Sequence, residues 1–133
     1  MIERIHPAGA PAPRGPYSPA VRAGDTIYVS GQIPVDPITG QMVSGGVQAE
    51  TRQVLTNIRD ILASCGATLA DVVRCSVYLT DAADFKAMNE VYTEFFGEAK
   101  PARSTIVAAA LPVLGAKVEI DAIAYQPSAA RRG

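Results

Sequence analysis

The sequence has no tryptophan, three phenylalanines, one histidine and two cysteines among its 133 residues. The scarcity of histidine and cysteine excludes most. His6 stands alone in a proline-rich arm, and Cys65 and Cys75 lack the CxxC spacing of a redox or zinc pair. No cluster of His, Cys and carboxylates falls at ligand spacing, so no metal site is expected. Both thiols are expected to be reduced and to pack as small buried hydrophobes. Neither sign of charge is in surplus: 12 Lys and Arg stand against 13 Asp and Glu, a net of −1. A chain so balanced offers no broad basic footprint for nucleic acid and no acidic tail. The longest apolar run, residues 106–116, is broken by Pro112 and falls well short of the about 20 residues that span a bilayer. The first residues hold Glu3, Arg4 and prolines where a signal peptide needs an apolar stretch. The expectation is a cytoplasmic protein with no membrane partner and no nucleic-acid partner.

What is present fits one domain over residues 1–133, with 48% hydrophobic and 19% charged residues. Residues 7–19, PAGAPAPRGPYSP, hold five prolines and read as an irregular arm. Residues 25–35 alternate Ile27, Val29, Gly31 and Ile33 with Tyr28, Ser30 and Gln32, which predicts a strand with one polar face. From Val47 to Cys65 the period becomes 3.6. Val47, Val54, Leu55, Ile58, Ile61, Leu62 and Cys65 share a stripe, while Glu50, Arg52, Gln53, Arg59 and Asp60 fall off it, and Gly66 is placed to stop the helix. Residues 71–80 are β-branched and predict a strand. Asp81 or Asp84 then caps a second helix, with Phe85, Met88, Tyr92, Phe95 and Phe96 inward and Gly97 at its end. Strands over 103–110 and 117–125 follow, joined by LPVLG, and residues 127–133 read as a flexible tail ending near Arg131 and Arg132.

Two helices, each with one apolar stripe, cover only one face of such a sheet. The other face meets water or another subunit, and a symmetric homo-oligomer is favoured. On that face the sequence predicts chemistry. If the last two strands pair around residue 111 or 112, Glu119 stands opposite Arg103 or Thr105, and all three occupy one face. A guanidinium matches a carboxylate in two-point geometry, and a neighbouring acid can move a proton or hold a water. The trio suits a small carboxylate-bearing substrate with a hydrolysable centre. The structural alternative is a cross-strand Arg–Glu ion pair worth under about 1 kcal/mol.

GPYSPA (15–20), VSGQIPVDPITG (29–40), NEVYTEFF (89–96), PARSTI (101–106) and VEIDAIA (118–124) resemble, in order and spacing, the Rid/YjgF family of RidA-type enamine/imine deaminases. The likeness covers residues 5 to 125, and its motifs are specific in combination. It implies an α+β, chorismate-mutase-like fold: a mixed sheet with two helices on one face, assembled as a homotrimer with sites between subunits. It also implies hydrolysis of reactive 2-enamino and 2-imino acids to 2-keto acids and ammonia, with no cofactor. Matched residue by residue, Arg103 would hold the substrate carboxylate. Glu119 would position the water or move a proton. Tyr17, Ser30, Gly31 and Asn89 would line the site. Thr105 stands where many members have cysteine, which removes a thiol that the hydrolysis does not require.

Two other functions fit the same residues. One is a non-catalytic trimer that binds or senses a small carboxylate such as a 2-keto acid; retention of Glu119 beside Arg103 favours the enzyme over it. The other is a deaminase of the same family dedicated to one pathway substrate. Each residue also has a structural role open to it: Ser30 as a strand-surface serine, Tyr17 as an anchor of the arm, Gly31 as a close backbone approach, Asn89 as a helix-surface residue.

Overall fold

In the computed structural model residues 1–10 and 12–127 are described, and the expected tail lies outside the described residues from position 128 on. Six strands are present: β1 (Ile2–Ile5), β2 (Ala20–Ala23), β3 (Thr26–Gln32), β4 (Val72–Leu79), β5 (Ala102–Val107) and β6 (Val118–Tyr125). They form one sheet in the order β1-β2-β3-β6-β4-β5. The two helices are α1 (Gly46–Ser64) and α2 (Phe85–Phe96). No helix among the described residues is long and apolar enough to cross a membrane.

The periodic stripe of α1 behaves as its spacing dictates. Val54, Leu55, Ile58, Ile61 and Leu62 all enter the core. The helix ends in a Schellman turn: the Gly66 N–H donates to Ala63 O at 3.0 Å and the Ala67 N–H to Leu62 O at 2.9 Å. Gly66 sits at φ +78°, where a side chain would be strained. Before α2, the Asp81 side chain accepts the Ala83 N–H at 2.8 Å and caps a short 3-10 turn, whereas Asp84 makes no cap bond. Met88, Tyr92 and Phe96 then point inward, and Gly97 ends the helix.

The expected hairpin between the last two strands does not form. β5 pairs with β4, in parallel, because α2 is the crossover of a strand–helix–strand unit and returns the chain in the same direction. Residues 108–117 then carry the chain past β4. β6 inserts between β3 and β4, antiparallel to both. In that central place it has two ladders, and Val118, Ile120, Ala122 and Ala124 are buried. β1 and β2, which flank the arm, were not expected as strands; each has four residues, and Glu3, Arg4 and Arg22 interrupt their apolar pattern.

Alternation assigns the two faces. Ile27, Val29, Cys75, Val77, Leu79 and the even positions of β6 share one core with α1 and α2, so both helices cover the same face. The other face carries Tyr28, Ser30, Arg74, Ser76, Tyr78, Glu119, Asp121, Ile123 and Tyr125. Tyr28, Tyr125 and Ile106 are each about half exposed there. This is the mixed polar and aromatic surface that the helix count left uncovered.

Two positions depart from the expected stripes. Phe85 is exposed, because it is the first residue of α2 and overhangs the edge of the sheet beside β5. Glu50 is only 5% exposed. Its Oε1 accepts the Lys117 N–H at 2.7 Å, which joins α1 to the entry of β6 and satisfies a backbone donor that no strand reaches.

Candidate functional site

The chemistry-bearing residues gather in two cavities, one on each side of the sheet. The first, of about 340 Å3, lies where the arm crosses β3; Arg14, Tyr17, Ser30, Gly31 and Glu119 line it, with Pro112 and Val113 at its rim. Ser30 fixes the arm there. Its N–H donates to Pro19 O at 2.9 Å and its Oγ to Ser18 O at 2.6 Å. The hydroxyl proton is thus committed, and the oxygen retains lone pairs with which to accept from a ligand. Tyr17 Oη accepts the Arg14 N–H at 3.3 Å, which ties the turn of the arm to the cavity wall.

Gly31 has a steric reason. The β3–β6 register shifts between Val29 and Gln32, and the backbone of residue 31 passes directly over the Glu119 side chain. A Cβ built there would collide with the carboxylate, with Glu119 Cδ at 3.0 Å and Cγ at 3.3 Å. Glu119 itself is half-buried, and among the described residues its carboxylate has no hydrogen-bond partner. Burial, and then the charge of Asp121 on the same face, push its pKa above the ordinary 4.5. A carboxyl in that setting takes up a proton more readily than one in water.

The second cavity, of about 230 Å3, is lined by Tyr92, Thr93, Phe96, Lys100, Pro101 and Arg103. The Arg103 guanidinium lies 4.7 Å from the Tyr92 ring centroid and 5.7 Å from that of Phe85. Aromatic faces hold the flat cation and leave its N–H edge available for two-point contact with a carboxylate. No acidic side chain pairs with Arg103 among the described residues. Lys100 stands at φ +40°, a left-handed conformation uncommon outside glycine, and brings a second cation to this cavity.

Cys75 is the ladder partner of Arg103 and is fully buried. Burial pushes its thiol up to about 11, so it packs as a hydrophobe and is no nucleophile at neutral pH. Burial likewise raises the Tyr92 hydroxyl, which makes no hydrogen bond among the described residues although the Cys75 thiol and the Arg103 guanidinium are its neighbours. Cys65 is half-buried at the end of α1. Thr105 follows Arg103 on the same face of β5, opposite Val77. Asn89 lies one helical turn from both Phe85 and Thr93, and its buried Oδ1 has no partner among the described residues.

The expected trio of Arg103, Thr105 and Glu119 on one face is therefore not present within the chain. Arg103 and Thr105 share the helix-covered side with Cys75 and Val77, whereas Glu119 stands opposite Tyr78 on the uncovered side. The error followed from the hairpin: with β5 on β4, odd numbers on β5 and β6 no longer mean one face. The alternative ion pair between Arg103 and Glu119 is absent for the same reason. The chain brings Tyr17, Ser30, Gly31 and Glu119 together and places Arg103, Thr105 and Asn89 elsewhere. Sequence reasoning missed Arg14, a cation in an arm without acidic neighbours, and it took Tyr92 for core alone.

Comparison with known proteins identifies the family. A profile of the endoribonuclease L-PSP family matches residues 8–126. The chain belongs to the Rid/YjgF family. A RutC family protein of Pyrococcus horikoshii is 50% identical over 126 residues, covering 95% of this chain and 99% of the relative. The 2-iminobutanoate/2-iminopropanoate deaminase of Capra hircus is 50% identical over 127 residues, covering 95% of this chain and 92% of the relative. The crystal structure of RidA from an Antarctic Psychrobacter superposes with a TM-score of 0.88 at 43% identity, covering 92% of this chain and 98% of that one. The six-stranded sheet with two helices is thus the α+β fold of Rid/YjgF structures.

Proposed function

We propose that this chain hydrolyses reactive 2-enamino and 2-imino acids, such as 2-aminoacrylate, 2-aminocrotonate and their imines, to 2-keto acids and ammonia. Two charges without an ion-pair partner among the described residues carry the reading: a half-buried Glu119 carboxylate in one cavity and an aromatic-backed Arg103 guanidinium in another. Relatives named for this reaction, about 50% identical along nearly the whole chain, support it.

The two cavities lie on opposite faces of one sheet, so a site that uses both takes one from each of two copies. Glu119 of one subunit then faces Arg103 of its neighbour. Because the two surfaces differ, the contact repeats head to tail and makes a ring where its rotation closes; a homotrimer that buries the Tyr28, Ile106 and Tyr125 surface is the assembly proposed.

In that cleft Arg103 grips the carboxylate and so orients the imine carbon. The enamine first takes a proton at its β-carbon to become the iminium. Glu119 accepts a proton from a water as the water oxygen bonds to the imine carbon. Glu119 passes that proton to nitrogen; the C–N bond then breaks as the new hydroxyl gives up its proton to Glu119, ammonia leaves and the carbonyl forms. Ser30 offers a lone pair to an N–H of the substrate. Tyr17, Gly31, Asn89 and Thr105 shape the walls. No covalent intermediate with the protein is needed. The ribonuclease description of the family fits this chain less well: its net charge is −1, and Arg74 on the uncovered face lies among Glu119 and Asp121 rather than in a basic stripe. The test is the decay rate of enzymatically generated 2-iminopropanoate and 2-iminobutanoate. Wild type is expected to accelerate both, Arg103→Ala and Glu119→Gln neither. A wild type without effect overturns the reading.

A further inference from the structure

Arg14 was not among the expected site residues, yet it lines the Glu119 cavity. It also lines an adjoining cavity of about 430 Å3 that runs on between the arm and the turn after β3, past Gly31, Ile33, Val35 and Pro37. Among the described residues that line this adjoining cavity, it is the only one bearing a full charge. Its side chain makes no ion pair among the described residues, and its own N–H, bonded to Tyr17 Oη at 3.3 Å, anchors it at the shared wall.

The space exceeds what the smallest substrate needs. A six-atom imine, taken at about 30 Å3 per heavy atom as for liquid water, fills under about 180 Å3. The cavities offer about 340 and 430 Å3. With the 2-carboxylate on Arg103 and the imine carbon at Glu119, a longer substituent extends into a passage whose one cation among the described lining residues is Arg14. An apolar substituent leaves that guanidinium unpaired, whereas a second carboxylate matches its fork.

We propose that Arg14 is a specificity-determining residue that favours dicarboxylic substrates: 2-imino acids with a second carboxylate one or two methylenes beyond the imine carbon. The proposal rests on the deaminase reading for the placement of the substrate, and its test separates the two. The probes for binding are 2-oxoglutarate and 2-oxobutanoate, the 2-keto acid products of a dicarboxylic and a monocarboxylic imine, titrated by calorimetry into wild type, Arg14→Leu and Arg14→Lys. Arg14 is exposed, so none of these changes disturbs the core.

Wild type is expected to bind 2-oxoglutarate about tenfold or more tightly than 2-oxobutanoate. Arg14→Leu lowers that ratio by about ten- to a hundredfold and Arg14→Lys by less. Equal affinities in wild type, or a ratio that Arg14→Leu does not change, overturn the proposal whatever the turnover. A second arm measures hydrolysis of the corresponding imines. If wild type hydrolyses neither while the affinity ratio depends on Arg14, the deaminase reading fails and the dicarboxylate selectivity stands.

Discussion

Gly31 lies against Glu119 so closely that residue 31 has no room for a Cβ. The contact ties a sequence feature, the Ser-Gly-Gln of β3, to the Glu119 carboxylate, which has no hydrogen-bond partner among the described residues. Gly31→Ala is expected to push the Glu119 carboxylate aside by about 1 Å and to reduce turnover by about a hundredfold. The side chain that must move ends in a flexible carboxylate, so the thermal midpoint should change little. Steady-state rates and a melting curve decide it; an active Gly31→Ala variant removes Glu119 position from the mechanism.

Glu119 also sets a pH dependence. Its carboxyl titrates above 4.5 when folded and near 4.5 when unfolded, so the folded chain holds the proton more tightly. Its favourable contribution is complete below 4.5 and is lost as pH rises through the folded value. Wild type should therefore be less stable than Glu119→Gln at neutral pH, and the gap should close as pH falls toward 4.5. Glu50 is raised in both proteins, so its effect cancels in the difference. Urea titrations of the two proteins across this range check the sign. A gap that widens on acidification refutes it. The acid limb of the rate profile should likewise have its midpoint above 4.5.

Tyr92 separates its ring from its hydroxyl. The ring backs Arg103 at 4.7 Å, while the buried Oη has no hydrogen-bond partner among the described residues. Tyr92→Phe removes an unsatisfied polar atom and should leave stability unchanged or raise it by up to about 1 kcal/mol. Tyr92→Leu removes the aromatic face and should raise KM about tenfold, with a smaller effect on kcat. Equal kinetics for the two variants would show that the stack does not position Arg103.

Glu50 gives a prediction of stability alone. It is buried, and the Lys117 N–H depends on it at 2.7 Å. Glu50→Leu leaves that donor unpaired and should cost about 1–3 kcal/mol in chemical denaturation; Glu50→Gln keeps an acceptor and should cost less.

These residues also mark how far the sequence was legible. Local period revealed both helices, and alternation revealed four strands to within about three residues, because each depends on neighbours in the chain. Strand pairing is non-local. The pattern of residues 102–125 suits a hairpin and a crossover equally, and only the packing of α2 between β4 and β5 selects the crossover. That single choice moved Arg103 to the other face from Glu119. Tyr17, Ser30, Gly31 and Glu119, which the family resemblance named, lie together because an arm, a strand and its ladder partner place them without reference to β5. Glu50 was misplaced because a charged residue one step off an apolar stripe looks solvated until its backbone partner on a distant segment is known.

The opposite-face placement of Arg103 and Glu119 gives the sharpest test of assembly. Within one chain they cannot reach a common ligand, since Arg103 shares the core side with Cys75 while Glu119 faces away beside Tyr78. Arg103→Ala and Glu119→Gln should each be inactive when pure. Unfolded together and refolded as a 1:1 mixture, they should form mixed rings in which some clefts join an intact Glu119 to an intact Arg103. Random assembly of a closed trimer with one cleft per contact leaves roughly one cleft in four intact. Activity should return to about a quarter of the wild-type value, and sedimentation should show trimers throughout. A mixture as inactive as its components would place both residues in one chain's site or neither in any, and the shared cleft would be abandoned.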